Sequence, residues 1–460
     1  MINKYAIVLA AGKGTRMKTQ LPKCAFPILK KPMINYIVEN IKKSVIDEIV
    51  CVVGYKKDYI KELLGGNVKY AIQNEQLGTG HAVLMAEDLI GDQDGTTIIL
   101  LGDMPLIDYK VINKVMSYHC DKKNDLTIVT AEFANPKEYG RIIKNEYGNI
   151  EAIIEHSDCT KEQKRIKEVN TGIYIVNNKL LFKAVNKIQV NKRKGEYYLT
   201  DIVEIMRDEY KVDTFLLWDS VKVMGVNDLF SLSIAEKHLR EGINKYHMLN
   251  GVSIINPETV TIGHSVKIGE NVIINPNTFI TGDSVIMKDS VIGPNTEIHS
   301  STIHKNVSVR HSLVYDSEVL ENTTIGPFAH LRNGAKIGKN NRIGNFVEVK
   351  KSTTGTGTKA AHLAYIGDAV TGKNVNFGCG SITVNYDGVK KHQTIIGDDV
   401  FIGCNTNLVA PVEIGDRVFI AAGSTVTKNV PKGALAIARN KQINKADYAK
   451  NLIYPKDEKF

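Results

Sequence analysis

The chain has 460 residues, more than one ordinary core supports, so two or three domains are expected. Its 43% hydrophobic and 24% charged residues are globular proportions, and no apolar stretch approaches the ~20 residues of a membrane helix. Lysine and arginine outnumber aspartate and glutamate by 59 to 50, yet they are dispersed without a recognition-helix or aromatic-basic pattern, which argues against a nucleic-acid partner. Anionic small substrates and surplus solvated lysines each account for the excess.

The first apolar run, Tyr5 to Ala11, reads as a buried strand rather than a leader, because it is short and runs into a Gly-rich loop. Met33 to Lys43 reads as an amphipathic helix, Ile49 to Val53 as a strand, Asp58 to Leu64 as a helix and Thr97 to Leu101 as a strand. This alternation predicts a mostly parallel sheet with helices on both faces and ligands at the carboxyl ends of its strands. One long helix is expected over Asp228 to Leu249, with Leu229, Leu232, Leu239, Ile243 and Tyr246 on one face. It would link domains at 1–227 and 251–460.

Beyond it Ile262, Ile268, Ile274, Ile280, Ile286, Ile292 and Ile298 recur at every sixth position. The step resumes through Ile325, Leu331, Ile337, Ile343 and Val349, and again through Ile396, Ile402, Leu408, Ile414, Ile420 and Val426. Such a repeat predicts a parallel β-helix in which each aliphatic points inward, at about 1.5 to 3 kcal/mol apiece when fully buried. These side chains account for folding and carry no chemistry. Residues 350–362, rich in Gly, Thr and Lys, are expected to leave the coil as a loop, and Thr383 to Thr394 form a second break. The six cysteines show neither Cys-x-x-Cys nor zinc spacing, which fits a reducing cytoplasm.

Leu9-Ala10-Ala11-Gly12-Lys13-Gly14-Thr15-Arg16-Met17, with Leu21-Pro22-Lys23 after it, lets backbone approach phosphates and supplies Arg16 and Lys23 as cations. It is neither a Walker loop nor a dinucleotide fingerprint, since Met17 replaces the third glycine. Together with Gln73 to His81 and Leu101-Gly102-Asp103-Met104-Pro105, the string resembles the sugar-phosphate nucleotidyltransferases. The resemblance implies a Rossmann-like α/β domain in which Leu9, Ala10, Ala11, Gly12, Lys23 and Gly102 meet the nucleotide. By the same resemblance Gln73, Gly78 and Thr79 recognise uracil, Gly140, Glu155 and Asn170 hold the sugar, and Asp103 with Asn227 holds Mg²⁺. Lys23 and Arg16 would offset phosphoryl charge.

In the second half, Ile325 to Arg332, Gly344 to Lys351, His362 to Asp368 and Asn385 to Gly388 narrow the resemblance. They are similar to the family of bifunctional N-acetylglucosamine-1-phosphate uridyltransferases and glucosamine-1-phosphate acetyltransferases. That family implies a left-handed β-helix, a homotrimer, and a route from glucosamine 1-phosphate and acetyl-CoA to N-acetylglucosamine 1-phosphate and then, with UTP, to UDP-N-acetylglucosamine. An ammonium must lose a proton before it attacks a thioester, and imidazole suits that task near neutrality. His362 is the expected base, although a histidine at a loop end is often merely solvated.

The resemblance assigns Arg332, Lys350, Tyr365 and Asn376 to the sugar phosphate, and Cys379, Asn385, Tyr386, Cys404, Ala422 and Arg439 to acetyl-CoA. Asn385 and Tyr386 also match sugar-binding positions. Taken singly, Arg332 and Lys350 would pass for surface charges on a coil. The chain departs from the family at Cys404, commonly Ser, at Cys379, frequently Ala, and at Leu101, where some members have Tyr. The rival readings are a monofunctional nucleotidyltransferase with a regulatory β-helix and a non-catalytic assembly subunit. The His362, Tyr365, Asn385 and Tyr386 set argues against the first, and retention of Arg16, Lys23, Asp103 and Asn227 against the second.

Overall fold

Val8, Val50, Val52, Ile98 and Ile99 are wholly buried β-branched residues, and they build the middle of a parallel sheet. In a computed structural model, which describes residues 3–136, 138–191 and 195–451, the chain divides into two compact units, Met1–Gly242 and Ile243–Phe460. Residues 1–2, 137, 192–194 and 452–460 lie outside the described residues.

The first unit holds seven principal strands: β1 Asn3–Ala10, β2 Glu48–Val53, β3 Lys69–Ile72, β4 Gly95–Leu101, β5 Leu126–Glu132, β6 Glu168–Asn177 and β7 Val212–Leu216. Their order is β7-β5-β6-β4-β1-β2-β3. All neighbours run parallel except β6, which is antiparallel to both β4 and β5. A hairpin, Arg141–Lys144 with Ile150–Ile154, joins β6 through Val169. The carboxyl ends of β1, β3 and β4 thus place Gly12, Gln73 and Asp103 along one edge.

In the second unit, short strands pair in parallel with strands one coil further along, as Ile262 with Ile280 and Ile280 with Ile298. Ile262, Ile274, Ile280, Ile286, Ile292 and Ile298 are at most 1% exposed, and Ile268 is partly buried. The recurring aliphatics are therefore the core of a β-helix, continued through Val309, Val314 and Val319 where the step of six is interrupted.

Two expectations need correction. The linking helix, Leu229–Leu249, buries only part of the predicted stripe: Leu232 is buried and Ile243 packs against the β-helix core, but Leu229 and Tyr246 are 54% and 64% exposed, whereas Asn244 and His247 are 1% and 5%. Polar residues occupy the inner face because the Asn244 amide donates to the carbonyls of Pro257 and Val260, closing the first coil.

Residues 350–362 do not protrude. Thr353 bridges in parallel to Lys336 below and Val370 above, and Ser352, Thr354 and Thr358 point inward where aliphatics stand elsewhere. Their hydroxyls satisfy the polar interior: Thr354 Oγ1 accepts from the Gly338 N–H at 3.1 Å and from Asn341 Nδ2 at 2.6 Å, and Thr358 donates to the Gly355 carbonyl. The segment is an ordinary coil with hydroxyl rungs. The second break does project, as a loop at Asn385–Gln393 between the strands Ile382–Val384 and Thr394–Ile396. Thr354→Val keeps the shape but orphans two buried donors, so it should cost about 1 to 3 kcal/mol for each donor left unpaired. Denaturant unfolding of the full chain measures this, and an unchanged midpoint for the β-helix transition would contradict the hydroxyl-rung account.

Candidate active sites

The edge of the first sheet opens into a cleft of about 650 Å³ lined by Leu9, Ala10, Ala11, Gly12, Arg16, Lys23, Gln73, Gly78, Thr79, Gly102, Asp103, Glu155 and Asn227. An adjoining recess of about 210 Å³ takes in Gly140, Glu155 and Asn170. Every residue predicted for the first site thus borders one continuous region. Gln76, Tyr198 and Thr171 line it as well and were missed by the sequence reading. Leu101, the position that departs from the family pattern, borders both spaces.

Local structure explains the convergence. Gly102 follows β4 and donates to the Leu9 carbonyl at 2.9 Å, and a Cβ there would stand 2.9 Å from that oxygen, so only glycine lets β1 and β4 close together at the rim. Gly78 has φ of 106°, a region that disfavours side chains, and packs against the Tyr197 backbone. Gln73 is buried, with Nε2 donating to the Gly78 carbonyl at 3.1 Å and lying 3.1 Å from His81 Nδ1. The Asn170 N–H donates to the Gly140 carbonyl, tying the two sugar-side residues into one unit.

At the centre Lys23 Nζ pairs with Asp103 Oδ2 and donates to Asn227 Oδ1 at 2.5 Å, while Arg16 reaches Glu138 and Asn227. Asn227 is held from behind. Val226 N–H donates to the Asp103 carbonyl, Gly225 N–H donates to the Tyr139 hydroxyl, and Ser231 Oγ accepts from the Asn227 N–H. The other carboxylate oxygen of Asp103, Oδ1, is buried and has no hydrogen-bond partner among the described residues. An orphaned anionic oxygen beside an amide oxygen is a hard-oxygen donor pair, and it suits Mg²⁺.

On the β-helix the register stacks residues far apart in sequence. Arg332 stands beside Lys350, Glu348 beside Tyr365, and Asn345 beside His362. His362 is therefore on the strand Lys359–Gly367, not at the end of a loop. Its Nδ1 lies 3.0 Å from Asn345 Oδ1. An amide oxygen only accepts, so Nδ1 carries the hydrogen and Nε2 presents a lone pair. Arg332 is held through Nε and Nη2 on Glu348 Oε1, at 2.8 and 2.5 Å. Asn385 is buried and donates from Nδ2 to Asp368 Oδ2 at 2.6 Å and to the Tyr365 hydroxyl at 3.3 Å.

Lys391, also missed from sequence, comes back from the Asn385–Gln393 loop. Its pKa is lowered, first through its hydrogen-bonding approach to Lys350 and then through that residue's charge. The loop is fixed by Asp387, whose carboxylate accepts from the Val389 and Lys390 N–H groups and contacts His392; those N–H bonds and His392 hold its pKa well below the usual range. Two amines brought together make a seat for an anion.

The parallel register of Ala360 with Phe377 and of Phe377 with Ile402 continues into the next corner, where Asn405 N–H donates to the Cys379 carbonyl and Gly423 N–H to the Cys404 carbonyl. His362, Cys379, Cys404 and Ala422 thus occupy one corner on successive coils, and Arg439 lies beside Gly423 at its end. Asn376 sits on the side of the coil before that corner and Tyr365 on the side after it, so the structure does not bring Asn376 onto the Lys350 face. Tyr386 is exposed at the root of the loop, bridging to Lys391.

Comparison with known proteins agrees with both halves. Residues 5–221 match the model of the nucleotidyl transferase family, and residues 316–351 and 393–428 match that of the bacterial transferase hexapeptide repeats. The Bifunctional protein GlmU of Acholeplasma laidlawii is 60% identical over the whole of both chains. The chain belongs to the bifunctional GlmU family. Members from Geobacillus sp. and Halalkalibacterium halodurans are 46% and 47% identical, over 99% and 97% of this chain and 100% and 99% of theirs. The hexapeptide match skips 352–392, the stretch that carries His362, Tyr365, Asn385 and Lys391.

Because Lys350 lowers its pKa, Lys391 should react with electrophiles ahead of other exposed lysines. Acylation by a soluble amine reagent near pH 8 should modify it early, Lys350→Gln should slow that labelling as the pKa rises, and an added phosphate should slow it in the wild-type chain. Peptide mass mapping follows all three, and labelling indifferent to Lys350 and to phosphate would contradict the anion seat.

Proposed function

We infer that this is a two-site enzyme of UDP-N-acetylglucosamine synthesis, acetylating glucosamine 1-phosphate on the β-helix and uridylating the product in the N-terminal cleft. The observation that carries the two-site reading is the oriented imidazole of His362 beside the Lys350–Lys391 pair, in a chain whose other unit holds a cleft large enough for a nucleotide.

For the acetyl step, Arg332, Lys350, Lys391 and Tyr365 are proposed to seat the sugar phosphate, with Tyr386 against the sugar. His362 Nε2 takes the proton from the ammonium, and Asn345 keeps the ring in the tautomer that can do so. Asn385, its amide nitrogen already engaged, would offer its carbonyl oxygen to the amine. Acetyl-CoA is proposed to lie along the corner formed by Cys379, Cys404 and Ala422, with Arg439 at its phosphates. A homotrimer is part of the proposal, and the exposed stacked pairs Phe328–Phe346 and Phe401–Phe419 are apolar surface that such an assembly would cover.

For the uridyl step, the N-acetylglucosamine 1-phosphate oxygen attacks the α-phosphorus of UTP and pyrophosphate leaves. Gln73, Gly78 and Thr79 are proposed to read uracil, Leu9 to Gly12 and Gly102 to bring backbone against the nucleotide, and Gly140, Glu155 and Asn170 to hold the sugar. Mg²⁺, held by Asp103 and Asn227, would supply charge compensation to the phosphates. Lys23 and Arg16 now rest on those same two residues and on Glu138, and they would turn to the phosphoryl oxygens when substrate arrives. Among the described residues no helix is long and apolar enough to cross a membrane, and the proposed setting is the cytoplasm.

Asp103→Asn is expected to abolish uridyl transfer and spare acetyl transfer, and His362→Ala to lower acetyl transfer about 10²- to 10⁴-fold and spare uridyl transfer. Coupled pyrophosphate and free-CoA assays read the two steps separately. Loss of both activities from either change, in a folded protein, would overturn the two-site assignment.

A further inference from the structure

Cys379 and Cys404 are free and exposed, and they stand one above the other on adjacent coils. Gly378 N–H donates to the Ile402 carbonyl and Asn405 N–H to the Cys379 carbonyl, so the backbone register holds through both cysteines. Each precedes a residue in left-handed conformation, Gly380 at φ 76° and Asn405 at φ 55°, so the two turns share one geometry and the side chains leave them in the same direction. Strands in such a ladder are ~4.8 Å apart, inside the Cα separation of about 4.4 to 6.8 Å that a disulfide spans. The other cysteines offer no comparable pair: Cys24, Cys51 and Cys159 are buried, and Cys120 is exposed on the helix Tyr109–Lys122 of the other unit.

We propose that Cys379 and Cys404 form a two-thiol modification site that takes a low-molecular-weight disulfide and closes the acetyl-CoA groove when oxidised. The effect on activity rests on the acetyl-CoA reading given above; the thiol chemistry does not. One cysteine thiolate attacks a sulfur of the small disulfide, the S–S bond breaks, and one small thiolate leaves and takes up a proton. The second cysteine then attacks the mixed disulfide and expels the other small thiolate. Two protein thiols are oxidised to one disulfide while the small disulfide is reduced to two thiols. An exposed bond of this kind is readily reversed in a reducing compartment, which makes it a reporter of oxidation rather than a structural link. Its place in the groove follows from the column itself, with His362 one coil below and Ala422 one coil above.

The test treats the full reduced chain with glutathione disulfide and follows three readouts. Trypsin cleaves after Lys390 and Lys391, between the two cysteines, so the expected bond appears as two covalently joined peptides and a mass loss of about 2 Da in the intact chain. Acetyl transfer should fall about tenfold or more, return on adding dithiothreitol, and be protected by acetyl-CoA, while uridyl transfer stays constant. Cys379→Ala or Cys404→Ser should each abolish the joined peptides. Glutathione adducts on separate peptides with no joined pair, no reaction at either cysteine, or a joined pair with undiminished acetyl transfer would each overturn the proposal. If the reduced enzyme transfers no acetyl group at all, the acetyl-CoA reading fails, and the joined peptides alone decide whether the thiols are paired.

Discussion

The parallel hydrogen bonds between successive coils fix which residues become neighbours throughout the second unit. Because strands pair in register, Ile262, Ile280 and Ile298 form one inward column, and the same bonds set Asn345 beside His362 although 17 residues separate them. A slip of one residue would turn the aliphatics outward and dismantle the functional corner together with the core. Core and site therefore share a single constraint. The aliphatic columns supply most of the free energy that resists slippage, and the outward-facing functional residues inherit the geometry those columns fix.

The first unit solves the same problem differently. Its functional residues come from the carboxyl ends of β1, β3 and β4 and from the Gly225–Asn227 turn, and what joins them is charge. Lys23 pairs with Asp103 and bonds to Asn227, so the cleft holds a cation where the phosphates' counter-charge will be needed. Only one carboxylate oxygen of Asp103 is satisfied this way, since Oδ1 is buried without a partner among the described residues. Leaving such an oxygen unsatisfied is costly, and it persists because the backbone bonds from Val226 and Gly225 hold the turn in place around it.

Legibility from sequence followed the physics of each contact. The step of six was visible because like residues touch like residues on every coil. Residues 350–362 looked like a loop because their inward positions hold Thr and Ser, and no periodicity of apolar residues reveals that a hydroxyl can fill a rung when it has backbone and amide partners. Asn345 was quoted within a motif but not tied to His362, since that pairing depends on coil length. Lys391 was hidden for a related reason: residue 376 pairs with 401 whereas 401 pairs with 419, and the longer coil includes the loop that folds Lys391 back toward Lys350. The linking helix was legible only in part, at Leu232 and Ile243, because its inner face also carries Asn244 and His247, which a search for apolar faces passes over.

That loop also shows why chemistry gathers where the repeat is interrupted. A regular coil exposes side chains only outward from flat sides and corners, so it cannot bring two residues of one coil to bear on a single point. An insertion can, provided its backbone is pinned. Here Asp387 pins it, accepting two N–H groups and facing His392, and its acidity is correspondingly strong. The pinned loop then brings Lys391 toward Lys350, and that approach lowers the Lys391 pKa. Two amines brought together on a fixed loop make a place where an anion is favourable to both. The repeat, by its regularity, offers no such convergence of side chains.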